Sequence, residues 1–508
     1  MKKIYAISLG VILLAAVSCN KWLEATSSSQ ISDEKLFSTR SGFHETLNGL
    51  YVIVSDRYCY GLDYTVWANE LSSYPYQINS VASAAAFQKH LFNTVKCTEH
   101  QDMMWQQAYM VASGASKLIL ELENHRDVIT NEDEYNLIKG EALGLRALMN
   151  FEVIRMFGTS TWAGDNAGKL APPYLNVYSK DPVPQRTYTE TATLLWDDIL
   201  ASIECLKSDP LTGTLSDDFT LTSNADGYWD NRLTHMNCYA IRALAARVAL
   251  WQGDTPKAAS YASEAVQGAL SSGISSWLDI DDFWQAASTF GLSDLAFTCE
   301  GIFSMDTSTG DYWHNWSDMY LSTALGALVL DYNWCQSLFP AGDLSADEDV
   351  RGLSGYLRYN GTSVSLTKFI GINIRIQVSY DSSGNKVYST DYNSTFPVLR
   401  LSEMQYIICE DAIVRGDIEG ACAALDQVRA HRGITTPLPR PASADDLWPE
   451  LEKEYYREFI GEGRLFFYLK RRSGAGRAAY VENSIASGSE LTYPYPVSET
   501  IYGRIQEL

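Results

Sequence analysis

Two segments far apart in the chain repeat one pattern, and it limits the fold more than any other feature. In "NCYAIRALAARVALWQGDTPKAASYASEAVQGAL", Ile241, Leu244, Ala245 and Val248 fall at helical spacing and form one apolar face. Gly253 ends that helix. Thr255 is in position to cap the next one, with Pro256 at its first position, where a missing N–H costs nothing. Ala258, Ala259, Ala262 and Ala265 let the second helix lie close to the first. In "SEMQYIICEDAIVRGDIEGACAALDQVRAHRG", Gly416-Asp417 takes the same place between two helical halves. Such stripes must be buried against other helices.

The two hairpins look like tetratricopeptide-type units, too far apart to form a clean tandem array. Other helices are equally legible. "LIKGEALGLRALMNFEVIRMFG" sets Ile138, Ala142, Leu145, Met149, Val153 and Met156 on one face, with Arg146 and Glu152 off it and Gly158 as a C-terminal stop. Residues 159–184, rich in Gly, Pro and Asn, read as an extended loop. Thr187 or Thr189 then caps a helix through "TATLLWDDILASIECL". From about residue 271 to 396 the texture changes to Gly, Ser, Asp and aromatics, with alternating runs such as "FIGINIRIQVSY". This insertion is expected to be loop-rich with a hairpin, and loops on a rigid scaffold are where binding residues concentrate. The fold class is therefore mostly α, helix hairpins carrying a loop-rich face, with little β structure.

The amino terminus has its own logic. Lys2 and Lys3 precede an apolar run from Ile4 to Val17, too short for the roughly 20 residues of a bilayer span. The run ends in small residues followed by Cys19, which reads as a secretory signal with a thiol at the cut. The segment resembles a bacterial lipoprotein signal, whose cysteine is acylated, although Ala16 stands where such signals usually carry Leu. "NKWLEATSSSQ" follows as a polar leash, and no second long apolar segment occurs.

Composition narrows the function. A net charge of −23 and one compact basic cluster, Lys470-Arg471-Arg472, argue against nucleic acid. The eight cysteines beyond Cys19 are scattered without a C-x-x-C pair, and the seven histidines form no H-E-x-x-H array, so no metal site or cofactor is expected. Export permits disulfides among these cysteines, with no pairing deducible, and the first reading of the scattered thiols is as small buried apolar groups.

Several blocks then match one family in order. "GEALGLRALMNFEVIRMFG", "PVPQRTYTETATLLWDDILASIECL", "RALAARVALWQGDTPKAASYASEAV", "FPVLRLSEMQYIICEDAIVRGDIEGACAALDQVRAHRGI", "EKEYYREFIGEGRLFFYLKRR" and "YPYPVSE" resemble successive motifs of the SusD/RagB family of Bacteroidetes outer-membrane lipoproteins. Phe467 stands where the family often has Asp, and Tyr455 and Tyr456 replace basic residues. The resemblance implies four tetratricopeptide-like helix pairs under a loop-rich ligand face, and no catalytic residues. It implies a surface lipoprotein, held in the outer membrane by lipid on Cys19, that lids a SusC-like TonB-dependent transporter. It also implies an oligomeric nutrient as ligand: oligosaccharide first, peptide second because RagB-type relatives carry peptides. The expected division is a signal peptide at 1–18, an N-terminal SusD-like region at 19–220 and a C-terminal SusD/RagB region at 221–508 that includes the insertion.

Sugar rings pack C–H faces on flat aromatics and bond their hydroxyls to polar side chains. Two stretches offer that mixture. "YCYGLDYTVWANELSSYPYQIN" nominates Tyr64, Trp67, Asn69 and Tyr74 as ligand contacts, with a core position as the other reading of Trp67. "GDYWHNWSDMY" nominates Tyr312, Trp313, Asn315 and Trp316. Trp105 is expected to be packed, Trp284 is a weaker candidate, and Asp281 and Asp282 read as a helix start. Outside the binding class, a surface glycosidase would need two carboxylates flanking the scissile bond, and no motif nominates such a pair. A tetratricopeptide-like scaffold that binds only protein is the third class.

Overall fold

A computed structural model describes residues 33–78, 82–216, 218–290, 294–307, 328–340, 348–352, 357–360, 363–369, 374–384, 386–392, 395–472 and 491–501. Cys19 and the signal, the leash, and the nominated loop residues Tyr312, Trp313, Asn315 and Trp316 lie outside them.

The described residues are mostly helical. The scaffold is built from α1 (Arg40–Val54), α2 (Val95–Asn124), α3 (Glu132–Phe157), α4 (Tyr188–Cys205), α5 (Cys238–Trp251), α6 (Thr255–Ser272), α7 (Ile280–Phe290), α8 (Leu401–Val414), α9 (Ile418–Ala430), α10 (Trp448–Glu458) and α11 (Arg464–Arg471). Helix α2 packs on α1 and α3, α3 on α4, α5 on α6, α6 on α8, and α8 on α9 and α10. Both Gly-Asp hairpins are present, as α5–α6 and α8–α9.

Their turns share one construction. Gly253 and Gly416 sit in the left-handed region, at φ +81° and +75°, with open space around each. The following aspartates cap the second helices: Asp254 accepts from the Lys257 amide and Asp417 from the Gly420 amide. Thr255 is therefore the first helical residue of α6 and not its cap. Its hydroxyl instead donates to Asp411 on α8 at 2.9 Å, which stitches one hairpin to the next. Because only backbone conformation is at stake, Gly416→Ala should cost about 1 kcal/mol, read as a lowered urea midpoint with unchanged slope.

Thr187 caps α4 in a full capping box with Glu190. Gly158 ends α3, but in an extended and not a left-handed conformation. A Cβ there would meet Ile154 O and the Tyr188 hydroxyl at 2.3 and 2.6 Å, so close approach, not φ, demands glycine. The apolar stripe of α3 is real but incomplete, because neighbours cover the helix on all sides. Arg146, off the stripe, is buried against Asp198 (2.6 Å), and Glu152 is buried against Arg155 and the Tyr60 hydroxyl.

Strands occupy part of the insertion. β1 (Tyr76–Gln77), β3 (Val329–Asp331), β5 (Ser363–Leu366) and β4 (Leu357–Asn360) form one antiparallel sheet in that order. β2 (Gly301–Asp306) pairs antiparallel with β8 (Thr395–Arg400). β6 (Ile374–Tyr380) and β7 (Lys386–Tyr392) make the hairpin expected from "FIGINIRIQVSY".

A buried ionic cluster fastens this insertion to the scaffold. Glu458, at the end of α10, receives Arg432 (2.6 Å), Arg351 (2.8 Å) and Arg400. Glu300 binds Arg432 through both oxygens, and Glu462 binds Lys368 and Arg400. Arg351 reaches Asp349 and Glu454 as well. Glu300, Asp349, Arg351 and Lys368 come from the insertion, whereas Arg400, Arg432, Glu454, Glu458 and Glu462 come from the scaffold. All are shielded from water, so each charge depends on its partners. The basic run near the C-terminus is likewise no surface patch: Lys470 donates to Met156 O (3.0 Å), Arg471 pairs with Glu410, and the Arg472 guanidinium lies over Trp448.

Candidate functional site

Where the scaffold ends and the insertion begins, the chain builds a cleft. Helix α6 stops at Ser272, and the strand-like run after it is tied to the returning segment: Ser276 N donates to Cys299 O (2.9 Å) and Ser275 Oγ to Gly301 O (2.6 Å). Asp279 then turns the chain into α7 by accepting the Asp282 amide (2.9 Å). A cavity of about 230 Å³ opens between these segments, walled by Trp277, Leu278, Phe283, Asp294, Thr298 and Cys299 among others. It is smaller than the roughly 300–1,000 Å³ that encloses a drug-sized ligand, so it suits one ring-sized end of a longer molecule.

Each wall group has a fixed role. Trp277 stacks on His431, ring centres 4.9 Å apart and planes within 6°. His431 Nδ1 lies 3.0 Å from Leu278 O, and because a carbonyl only accepts, that nitrogen carries the hydrogen. The imidazole thus braces the indole. The Trp277 Nε1–H is itself buried without a partner, so the indole presents the cleft with ring surface and not with a donor. Asp294 accepts Thr298 Oγ1 (2.9 Å) and the Cys299 amide (3.2 Å), and burial raises its pKa despite these bonds. Burial, with the Asp294 charge next, also pushes the Cys299 thiol well up, so it is no nucleophile. Lys386 on β7 pairs with Asp282 on α7 at 2.6 Å and holds the β6–β7 hairpin beside the cleft. Trp284 on α7 and Tyr380 at the hairpin tip are 42% and 67% exposed, which leaves flat aromatic surface nearby.

The first nominated stretch lies elsewhere and is packed. Tyr64, Trp67, Asn69 and Tyr74 are all in the core, not on a ligand face. The Tyr64 hydroxyl donates to Met104 O (3.0 Å), and the Tyr74 hydroxyl to Tyr456 O (3.1 Å). Asn69 gives its amide to Tyr64 O and accepts the Tyr493 hydroxyl at 2.8 Å. Trp67 lies beside His100, its Nε1–H buried and unpartnered. The mixture that read as a sugar site here satisfies buried polar groups between α2 and the C-terminal segments. Trp105 is packed as expected, against Tyr109, Phe157 and Tyr495. Trp277 and His431 were not nominated: Trp277 sits in the Gly-Ser run "SSGISSWLD", a signal available in the sequence, whereas the His431 stack depends on a contact across more than 150 residues.

Among the described residues, no group of His, Cys, Asp and Glu side chains is arranged to hold a metal, and no helix is long and apolar enough to cross a membrane. Scaffold and cleft together define a helical architecture of tetratricopeptide-like hairpins with a loop-built pocket. That architecture is the SusD fold, and residues 352–498 match the SusD family model, which bears out the resemblance seen in the sequence. A SusD superfamily protein from Bacteroides vulgatus ATCC 8482 superposes with a TM-score of 0.66 at 19% identity, covering 92% of this chain and 98% of its own. One from Bacteroides thetaiotaomicron VPI-5482 gives 0.64 at 19%, covering 92% and 99%. A SusD-like carbohydrate binding protein from Bacteroides vulgatus ATCC 8482 gives 0.62 at 15%, covering 92% and 98%. Comparison with curated proteins found no match to the chain.

Proposed function

We propose that this chain is a cell-surface lipoprotein that binds oligosaccharides reversibly and passes them to a SusC-like TonB-dependent transporter, with Cys19 as the lipidated residue. The cleft carries the reading. It offers an indole braced by His431 as one wall, and exposed Trp284 and Tyr380 nearby can receive further sugar rings. Its carboxylates are already engaged: Asp279 by the Asp282 amide, Asp282 by Lys386, and Asp294 by Thr298 and Cys299. That favours holding a glycan over hydrolysing it, since a glycosidase needs one carboxyl to donate a proton and another to attack or activate water. A carbohydrate-binding protein of the same fold supports the ligand class. Tyr312, Trp313, Asn315 and Trp316, outside the described residues, remain proposed contacts.

The test is a glycan array followed by calorimetry on the best binder. Trp277→Ala and Trp284→Ala should each weaken binding about 10-fold, equivalent to about 1.4 kcal/mol. Products should be absent after prolonged incubation. Binding that survives both substitutions unchanged, or any cleavage of the glycan, overturns the reading.

A further inference from the structure

A second groove lies on the scaffold, away from the cleft. It runs between the middle turns of α2 and residues 173–183, with a volume of about 710 Å³. Trp105, Tyr109 and Met110 form one wall, and Val177, Tyr178 and Pro182 the other. Met110, Val177 and Tyr178 are each about half exposed. The loop wall is fixed. Tyr109 donates to Pro173 O (2.6 Å), Asn150 bonds both the N–H and C=O of Leu175, and Arg146 donates to Asn176 O. An open groove with apolar walls and polar and charged groups along it, held open by buried polar side chains, is shaped to take an extended segment.

The position of Asp33, where the described chain begins, identifies the occupant. Asp33 pairs with Lys117 at 2.5 Å, and the same ammonium lies 5.4 Å from the centre of the Tyr178 ring at the groove rim. Residues 20–32, "NKWLEATSSSQIS", directly precede Asp33 in the chain. At about 3.3 Å per residue they can span about 43 Å. The stretch of α2 from Lys117 back to Trp105 needs only about 18 Å at 1.5 Å per residue. Trp22 and Leu23 are adjacent large apolar side chains in this polar segment. Their flanking Lys21 and Glu24 complement Asp181 or Glu499 and Lys180 along the groove.

We propose that the groove binds the chain's own residues 20–32, with Trp22 and Leu23 seated between α2 and the 173–183 loop. Docking leaves only a few residues between the scaffold and Cys19. If Cys19 is anchored, this face is held toward the membrane and the long leash is taken up. The docking itself does not depend on the anchor or on any glycan.

Hydrogen exchange of the full mature chain tests it, alongside Met110→Glu in the groove and Trp22→Ala/Leu23→Ala in the segment. Amides of residues 22–32 should exchange at least ~10-fold more slowly in the unaltered chain than in either variant, while the helices keep their protection. The segment variant alters no described residue and keeps the test decisive if Met110→Glu disturbs α2. Equal exchange in all three proteins overturns the proposal. So does protection that rises with protein concentration, which would assign the groove to a second copy.

Discussion

Glu458→Gln should destabilise the protein by about 3–5 kcal/mol, more than any surface change, with little alteration of size or helix content. The side chain keeps its volume, so no cavity forms, and what is lost is charge. Burial by itself would push this carboxyl's pKa up, but Arg432, Arg400 and Arg351 hold it well below the usual range. Removing the charge leaves three buried guanidiniums short of an anion, each sharing what remains: Arg432 with Glu300, Arg400 with Glu462, and Arg351 with Asp349 and Glu454. Because the cluster joins the insertion to the scaffold, the loss should spread. The cleft segment 294–300 hangs on Glu300, and its amides should lose exchange protection before the α5–α6 hairpin does. Urea unfolding of both proteins at pH 7 measures the effect, and a difference under 1 kcal/mol would show that the cluster contributes specificity and not stability.

What the sequence revealed follows from the range over which each feature is decided. The hairpins were legible because periodicity and a Gly-Asp turn are local, and so were the Thr187 cap and the β6–β7 hairpin. The α6 cap slipped by one residue, since Asp254 and Thr255 are both good caps and only the Thr255–Asp411 bond between hairpins gives Thr255 another task. The aromatic stretch from Tyr58 to Tyr76 misled because burial is decided far away. Tyr74 meets Tyr456, Asn69 meets Tyr493, and Glu70 meets Gly461 and Gly463, all about 400 residues on. A tyrosine beside an asparagine has the same composition whether a sugar or another strand of chain covers it. Trp284, by contrast, is exposed, and no local motif distinguished it.

Glu70 also makes stability depend on pH in a window of its own. Its oxygens accept the Gly461 amide (2.6 Å), the Tyr76 hydroxyl (2.7 Å) and the Gly463 amide (3.0 Å), clamping the amino-terminal segment to the turn after α10. Burial raises its pKa to about 8, and these donors offset only part of the rise. Between an unfolded value near 4.5 and a folded value near 8, the native protein keeps a proton that the unfolded chain has released. The stability this confers is complete below pH 4.5 and is lost as pH climbs to 8, at about 1.4 kcal/mol per unit. Carboxyls held down near pKa 2 by arginines, such as Glu403 and Glu454, act in the opposite sense and only on the acid side of 4.5. Lys368, lowered by burial to about 8, contributes only at higher pH. Glutamine at position 70 cannot titrate. The stability of the unaltered protein minus that of Glu70→Gln should therefore fall by about 3 kcal/mol from pH 5.5 to 7.5, read from urea midpoints at several pH values. A difference that stays level would mean that the three donors keep Glu70 ionised in the folded state, and the clamp would then be a charged one.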